Sequence, residues 1–191
     1  MSTATATLRH EHEAILKMLE AMEEVTHQLG QGASVSPETL SELLEFLRVF
    51  ADRCHHSKEE DHLFPLLEKK GLPRAGGPVG VMLFEHEQGR ALIRQMGEAS
   101  EAYSRGQAGA GESWICAARG YIDLLRGHIM KENNILFAMA DRLLSPAEQE
   151  VLSEAFEKVE NEKLGRGTHE RLHAMIDKLR AEIFSETKSV A

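Results

Sequence analysis

Cysteine is scarce in this chain: Cys54 and Cys116 are the only two, and they form no CxxC pair. Thiols this few are read as reduced, so a cytoplasmic protein is expected. Aromatic residues make up only 5% of the chain, and its five prolines and fifteen glycines fall in a few clusters rather than at short regular intervals. That distribution argues against a β-sandwich or barrel. Long hydrophobic runs are missing: the longest uncharged apolar stretch, residues 76–84, is far too short to cross a bilayer. The N-terminus, Met-Ser-Thr-Ala-Thr-Ala-Thr-Leu-Arg, has no apolar segment of the kind a secretory signal needs. Basic charge is also in deficit, with 22 Lys and Arg against 31 Asp and Glu. The resulting −9 gives no footprint for a phosphate backbone, so neither nucleic acid nor membrane is an expected partner.

What is present is helical periodicity almost throughout the 191 residues, a length ample for a real core. Leu8, Ile15, Leu19 and Met22 form a stripe that predicts a first helix ending near Gly30. Ser36 and Pro37 supply an N-cap and a first-turn proline for a second helix. It carries Leu40, Leu43, Leu44, Leu47, Ala51, Leu63 and Leu66 inward and closes at about Gly71, and Pro65 should kink or break its last turns. After a loop at residues 73–80, Val79, Met82, Leu83, Ile93 and Met96 mark a third helix ending near Gly106. A fourth, over residues 112–143, turns Trp114, Ala117, Tyr121, Leu124, Leu125, Ile135, Leu136 and Met139 inward. Four long helices with short loops imply an all-α, up-down-up-down four-helix bundle over residues 1–144.

Residues 145–191 read as a C-terminal helical extension of two additional helices, packed on the bundle. Ser145-Pro146-Ala147-Glu148 is a capping box for a fifth helix that ends near residues 165–167. Thr168 caps a sixth reaching about Ser185, and the tail from Glu186 is expected to fray.

Histidine is abundant, with ten in an acidic chain, and an internal duplication organises them. Glu11-His12-Glu13 recurs 74 residues later as Glu85-His86-Glu87. His55-His56-Ser57-Lys58-Glu59 recurs 73 residues later as His128-Ile129-Met130-Lys131-Glu132, and Leu63-Phe64 as Leu136-Phe137. Each helix pair thus offers a single histidine and then an HxxxE. Spacing of i, i+4 stacks His and Glu on one helix face, so both can reach one ion. Carboxylate–imidazole sets of this kind hold pairs of iron or manganese ions in bundle cores. Four imidazoles and two carboxylates leave coordination positions open for a small ligand such as O2, peroxide or NO. The candidate metal ligands are His12, His55, Glu59, His86, His128 and Glu132, all on apolar stripes. Two inward carboxylates at duplicated spacing are costly unless a cation meets them.

Stepping back by four, eight and eleven from His55 meets Ala51, Leu47 and Leu44, whereas the same steps from His56 meet Asp52, Arg48 and Glu45. His55 is therefore assigned to the core and His56 to water or the helix flank. In an up-down bundle all six candidates lie towards one end, so the site should be off-centre.

With these residues in place, the chain resembles the hemerythrin-like, HHE cation-binding family over residues 5–143. Cys54-His55-His56-Ser57-Lys58-Glu59-Glu60 followed by Leu63-Phe64-Pro65 is similar to that family's helix-two signature, and His128 to Glu132 followed by Leu136-Phe137 to its helix-four counterpart. The resemblance implies a four-helix bundle with two non-haem iron ions, bridged by an oxo or hydroxo group, and the same six residues as ligands. Animal oxygen carriers of the family have a further His where Arg90 stands, and an Asp where Asn133 stands beside Glu132. These departures speak against reversible O2 carriage and liken the chain to bacterial members that sense or process O2, NO or peroxide, or handle iron.

The functional expectation is a di-iron protein that binds or senses O2 or a related small oxidant. An enzyme acting on peroxide or NO, an iron storage or repair protein, and a bundle acting through its surface are the alternatives. His62 could border the site, and His169 or His173 could add a ligand, although a surface or capping role is the plainer reading of each. Tyr121 is either a hydroxyl behind His128 or core, Cys54 a small buried residue, and His10 and His27 solvent-facing.

Overall fold

Three hydroxyl caps set the starts of helices. In the computed structural model, which describes residues 3–164 and 168–187, Thr3 accepts from the Ala6 N–H at the start of α1 (Ala4–Gly30). Ser36 accepts from the Thr39 N–H and starts α2, with Pro37 in its first turn. Ser145 and Glu148 close a reciprocal capping box at the head of α5 (Pro146–Val159, continued by Glu160–Leu164). Between them, α3 (Pro78–Ser104) starts at Gly77, where the loop folds back tightly. A Cβ there would stand 2.1 Å from the Pro73 carbonyl oxygen, and one at Gly80 2.0 Å from that of Arg74. Only glycine allows that approach. α4 occupies residues 110–143 and α6 spans Thr168–Thr187. The described residues are helical with no strand, as expected. The ends anticipated at residues 165–167 and in the final tail lie outside the described residues, apart from α6 continuing to Thr187.

α2 covers residues 37–69 without a break, but not as one uniform α-helix. It is α-helical over Pro37–Phe46, π-helical over Leu47–His56 and Glu59–Leu63, and α-helical again over Phe64–Lys69. Pro65 therefore does not end it: the Phe64 N–H reaches back five residues to the Glu59 carbonyl, so the helix is already widened where proline lacks its donor. Proline is not the cause of that widening. The duplicated stretch of α4 has Ala138 in its place, yet Glu132–Leu136 is also a π turn, with the Phe137 N–H on the Glu132 carbonyl. One inward assignment fails there: Ile135 is half-exposed, because the extra residue in the turn rotates it out of the α-helical phase.

Neighbouring helices run antiparallel where side chains tie them. α1 meets α4 through Thr5–Asp141, His12–Asn133 and Glu23–Arg126; α2 meets α3 through Asp52–Arg90 and Glu60–His86. The apolar interior is in two parts. The larger holds Ile15, Leu47, Phe50, Ile93, Trp114, Leu125 and Ile129; the smaller holds Leu8, Leu63, Phe64, Met82, Leu136 and Phe137. On each of the four helices the sequence passes from one part to the other around buried polar residues: His12, His55 and Glu59, His86, and His128 and Glu132.

The C-terminal helices complete both parts. Leu152 and Phe156 of α5 enter the smaller, and Leu172, Ile176, Leu179 and Ile183 of α6 the larger. Each buried side chain of this size stabilises the fold by about 1.5–3 kcal/mol. Phe156→Ala should therefore cost about 3 kcal/mol or more in urea denaturation; a loss near zero would show that α5 is not packed there. Glu148, bonded first by the Lys70 side chain and then by Ser145, has its carboxyl held down at about 2. Its contribution is full above the ordinary carboxylate range and is lost as pH falls through about 2. The stability gap between wild type and Glu148→Gln should close over that acid window.

Candidate metal centre

Six buried side chains meet in the polar interval between the two apolar clusters. Nε2 of His12 and Nε2 of His128 each lie 3.2 Å from Oε2 of Glu132. Nε2 of His55 lies 3.6 Å from Oε1 of Glu59, and Nε2 of His86 3.5 Å from Oε2. The two oxygens of Glu59 thus face different histidines, one on α2 and one on α3. The potential ligand atoms form two overlapping groups, each within 4.8 Å across: His12, His55, Glu59 and Glu132 in one, His56, Glu59, His86 and His128 in the other. Glu59 belongs to both.

The carboxylates are entirely enclosed, and none of the four oxygens of Glu59 and Glu132 has a hydrogen-bond partner; nor has Nε2 of His12 or His55. Buried acceptors left this way cost several kcal/mol each. A pair of cations between the imidazoles and the carboxylates fits them: nitrogen and oxygen donors, two negative charges, and approaches that are close without being hydrogen bonds.

The outward nitrogens are oriented by a second layer. Nδ1–H of His55 donates to Glu11 at 2.8 Å and that of His128 to Glu85 at 2.9 Å. Nδ1–H of His86 donates to Glu60 at 2.7 Å and that of His12 to the Asn133 side-chain oxygen at 2.9 Å. Each ring is thereby held with Nε2 pointing inward, the arrangement found behind metal-bound histidines. Lys58 and Lys131 in turn donate to Glu11 and Glu85. The duplication contains this layer too. Glu11 and Glu85 are 74 residues apart, while Glu60 and Asn133, like Lys58 and Lys131, are 73 apart. The signal was available in the repeat, but a search for ligands passes over residues that orient them.

Electrostatics divide the two carboxylates. Burial, followed by the neighbouring Glu132, pushes Glu59 well above the usual carboxylate range. Glu132 is buried as deeply, but His128 and His12 outweigh that and hold it well below. Burial drives His55 down to about 4 against the pull of Glu11. His128 goes the other way, to about 9: burial opposes its charge, but Glu132 and Glu85 overcome it.

The structure brings all six sequence-chosen residues together and corrects the assignment of a seventh. His56 is not on the flank: it is 4% exposed and its ring stacks on His86. The α-helical stepping fails because Leu47–His56 is π-helical, with bonds reaching five residues. Five-residue steps from His56 and His55 meet Ala51 and Phe50, both buried. His62 is half-buried in an edge contact with Phe156 and belongs to neither donor group. Tyr121 is a member of the larger apolar cluster, with its hydroxyl unpartnered. Cys54 is buried, which pushes its thiol up to about 12, and His10 and His27 are exposed. The side chains of His169 and His173 lie outside the described residues.

Two measurements follow from this geometry. Metal uptake competes with the protons favoured on Glu59 and His128, so affinity should weaken as pH falls below about 9, with proton release visible in calorimetry across buffers of different ionisation heat. Glu11→Gln keeps the shape but not the charge behind His55 and should lower metal affinity about 10- to 100-fold. Unchanged affinity would mean that Glu11 does not orient the ring.

The chain is similar in sequence to known proteins. The chain is 31% identical over 132 residues to the iron-sulfur cluster repair protein YtfE of Edwardsiella ictaluri, covering 68% of this chain and 59% of that one. It is 34% identical over 87 residues to the iron-sulfur cluster repair protein DnrN of Neisseria gonorrhoeae, covering 44% and 55%. An uncharacterized protein of Mycobacterium tuberculosis is 24% identical over 163 residues, 85% of this chain and 63% of that protein. This chain therefore spans less than two thirds of the length of these relatives. The model of the hemerythrin HHE cation binding domain matches residues 3–140, the stretch that contributes all six donors, and the chain belongs to that family.

Proposed function

We propose that this chain holds two iron ions through His12, His55, Glu59, His86, His128 and Glu132, and that it binds or senses O2, or a related small oxidant such as peroxide or NO, at that centre. The observation that carries the reading is that the enclosed oxygens of Glu59 and Glu132 and Nε2 of His12 and His55 have no hydrogen-bond partner, in two donor groups that share Glu59. α1 to α4 are read as an up-down-up-down bundle over residues 1–144, and residues 145–191 as its extension. Iron would supply open coordination positions and one-electron redox capacity. The protein's own part is to hold four Nε2 atoms inward, to set Glu59 and Glu132 between them, and to keep bulk water out. Donors this deeply buried favour a ligand of two or three atoms over a larger substrate. No helix among the described residues is long and apolar enough to cross a membrane, and a cytoplasmic location is part of the same reading.

A second reading is iron handling in the repair of iron–sulfur clusters. It is favoured by the names of two relatives, each called an iron-sulfur cluster repair protein. Burial argues the other way, because ions held by donors this deeply enclosed leave slowly.

Iron analysis with optical spectra before and after O2, peroxide, azide and NO tests the first reading. Two irons per chain and a ligand-dependent spectrum are expected; zinc, or no metal after expression in iron-replete medium, would sink it. Glu59→Ala or Glu132→Ala should lower occupancy to one ion or none. Rapid transfer of iron to an apo iron–sulfur protein, with no spectral response to the small ligands, would favour repair instead.

A further inference from the structure

We propose that His56 is a fifth imidazole donor, serving the ion position on the His86 and His128 side, so that the two positions are unequal. This rests on the two-ion reading above and goes beyond its six ligands. A ring nitrogen of His56 lies within 4.8 Å of the ligand atoms of Glu59, His86 and His128, a span that donors around one ion can occupy. Its Nδ1 meets Oδ1 of Asp52 at 3.3 Å, which leaves Nε2 as the nitrogen for an ion. That bond is long, and the same oxygen already accepts from Nε of Arg90 at 2.7 Å. An imidazole buried as deeply as His56 is costly if that is its whole use.

Departures from the duplication point the same way. Every donor and orienting residue named above has a counterpart 73 or 74 positions away, but His56, Asp52 and Arg90 align with Ile129, Leu125 and Leu16. The counterparts at these three positions are thus all aliphatic. The His86 side carries a histidine, a carboxylate on its Nδ1 side, and an arginine bonded to both Asp52 and Glu60. Arg90 thus braces the carboxylates behind His56 and His86 together. The three polar residues form one unit, and that unit repeats the ring-plus-orienting-acceptor arrangement of the other four histidines.

The competing role is a passive plate, because the His56 ring lies 3.8 Å from that of His86, 15° from parallel. Phe64 also stacks on His86, at 5.9 Å, as its counterpart Phe137 stacks on His12 at 5.5 Å, so each of these histidines has a phenylalanine neighbour without His56. Stacking alone would be served by phenylalanine; a nitrogen serves an ion.

The test compares wild type, His56→Phe and His56→Gln, each loaded with ferrous iron and checked for native helicity by circular dichroism. Phenylalanine keeps the stack and removes the donor. Both variants should retain one iron tightly and bind the second about a hundredfold more weakly in competition with a chelator. On the wild-type protein, X-ray absorption and pulsed EPR with 15N-labelled histidine should count five imidazoles per iron pair. Two irons bound by His56→Phe as tightly as by wild type, or four imidazoles in the wild-type count, would overturn the proposal and leave the six-ligand reading intact. A wild-type protein that takes up no pair of ions would overturn both. Should the phenylalanine variant not fold, the wild-type count decides alone.

Discussion

Two carboxylates, Glu59 and Glu132, are enclosed in a helical interior with no hydrogen bond to any of their oxygens, and the rest of the molecule is arranged around that constraint. Uncompensated, they would be among the most expensive features a chain of this size could carry. The surroundings reduce the cost in layers. Four imidazoles face the carboxylates; Glu11, Glu85, Glu60 and Asn133 hold the imidazoles; Lys58 and Lys131 balance two of those acids. Each layer is polar because the one inside it is.

The two apolar clusters are the complement of this polar interval. They clamp it from both ends, and they include residues of the C-terminal helices. α5 also touches the layers directly. Glu160 accepts from Lys58 at 2.5 Å, and Lys163 donates to Ser57 and Asp61, on either side of the Lys58–Glu59 pair. The segment that looked like an appendage is thus joined to the residues behind His55. Its composition could not show this, since the contacts are made between residues about a hundred positions apart.

Much of the helical layout was legible, because capping and periodicity are local. Ser36-Pro37, the Ser145–Glu148 box and the leucine stripes act within a few residues. The six donors were legible for a different reason: the duplication repeats the same chemistry at nearly the same interval, which isolated HxxxE motifs do not. The failures at Ile135 and His56 share one cause: both were placed by α-helical phase, and both lie in π-helical turns. A π turn admits one more residue per turn and is stabilised by what packs around it, so a periodicity argument has no term for it.

What the sequence determined by itself was six of the buried candidate donors, their pairing into two repeats and the all-helical frame, because each depends on residue type and near-neighbour spacing. Only the tertiary structure decided which acid stands behind which histidine, that Glu59 faces both halves of the centre, and that His56 lies inside. Those facts depend on the register between helices and on the local widening of α2. Both are set by how four apolar faces close on one another around buried charge, and no single helix carries that information.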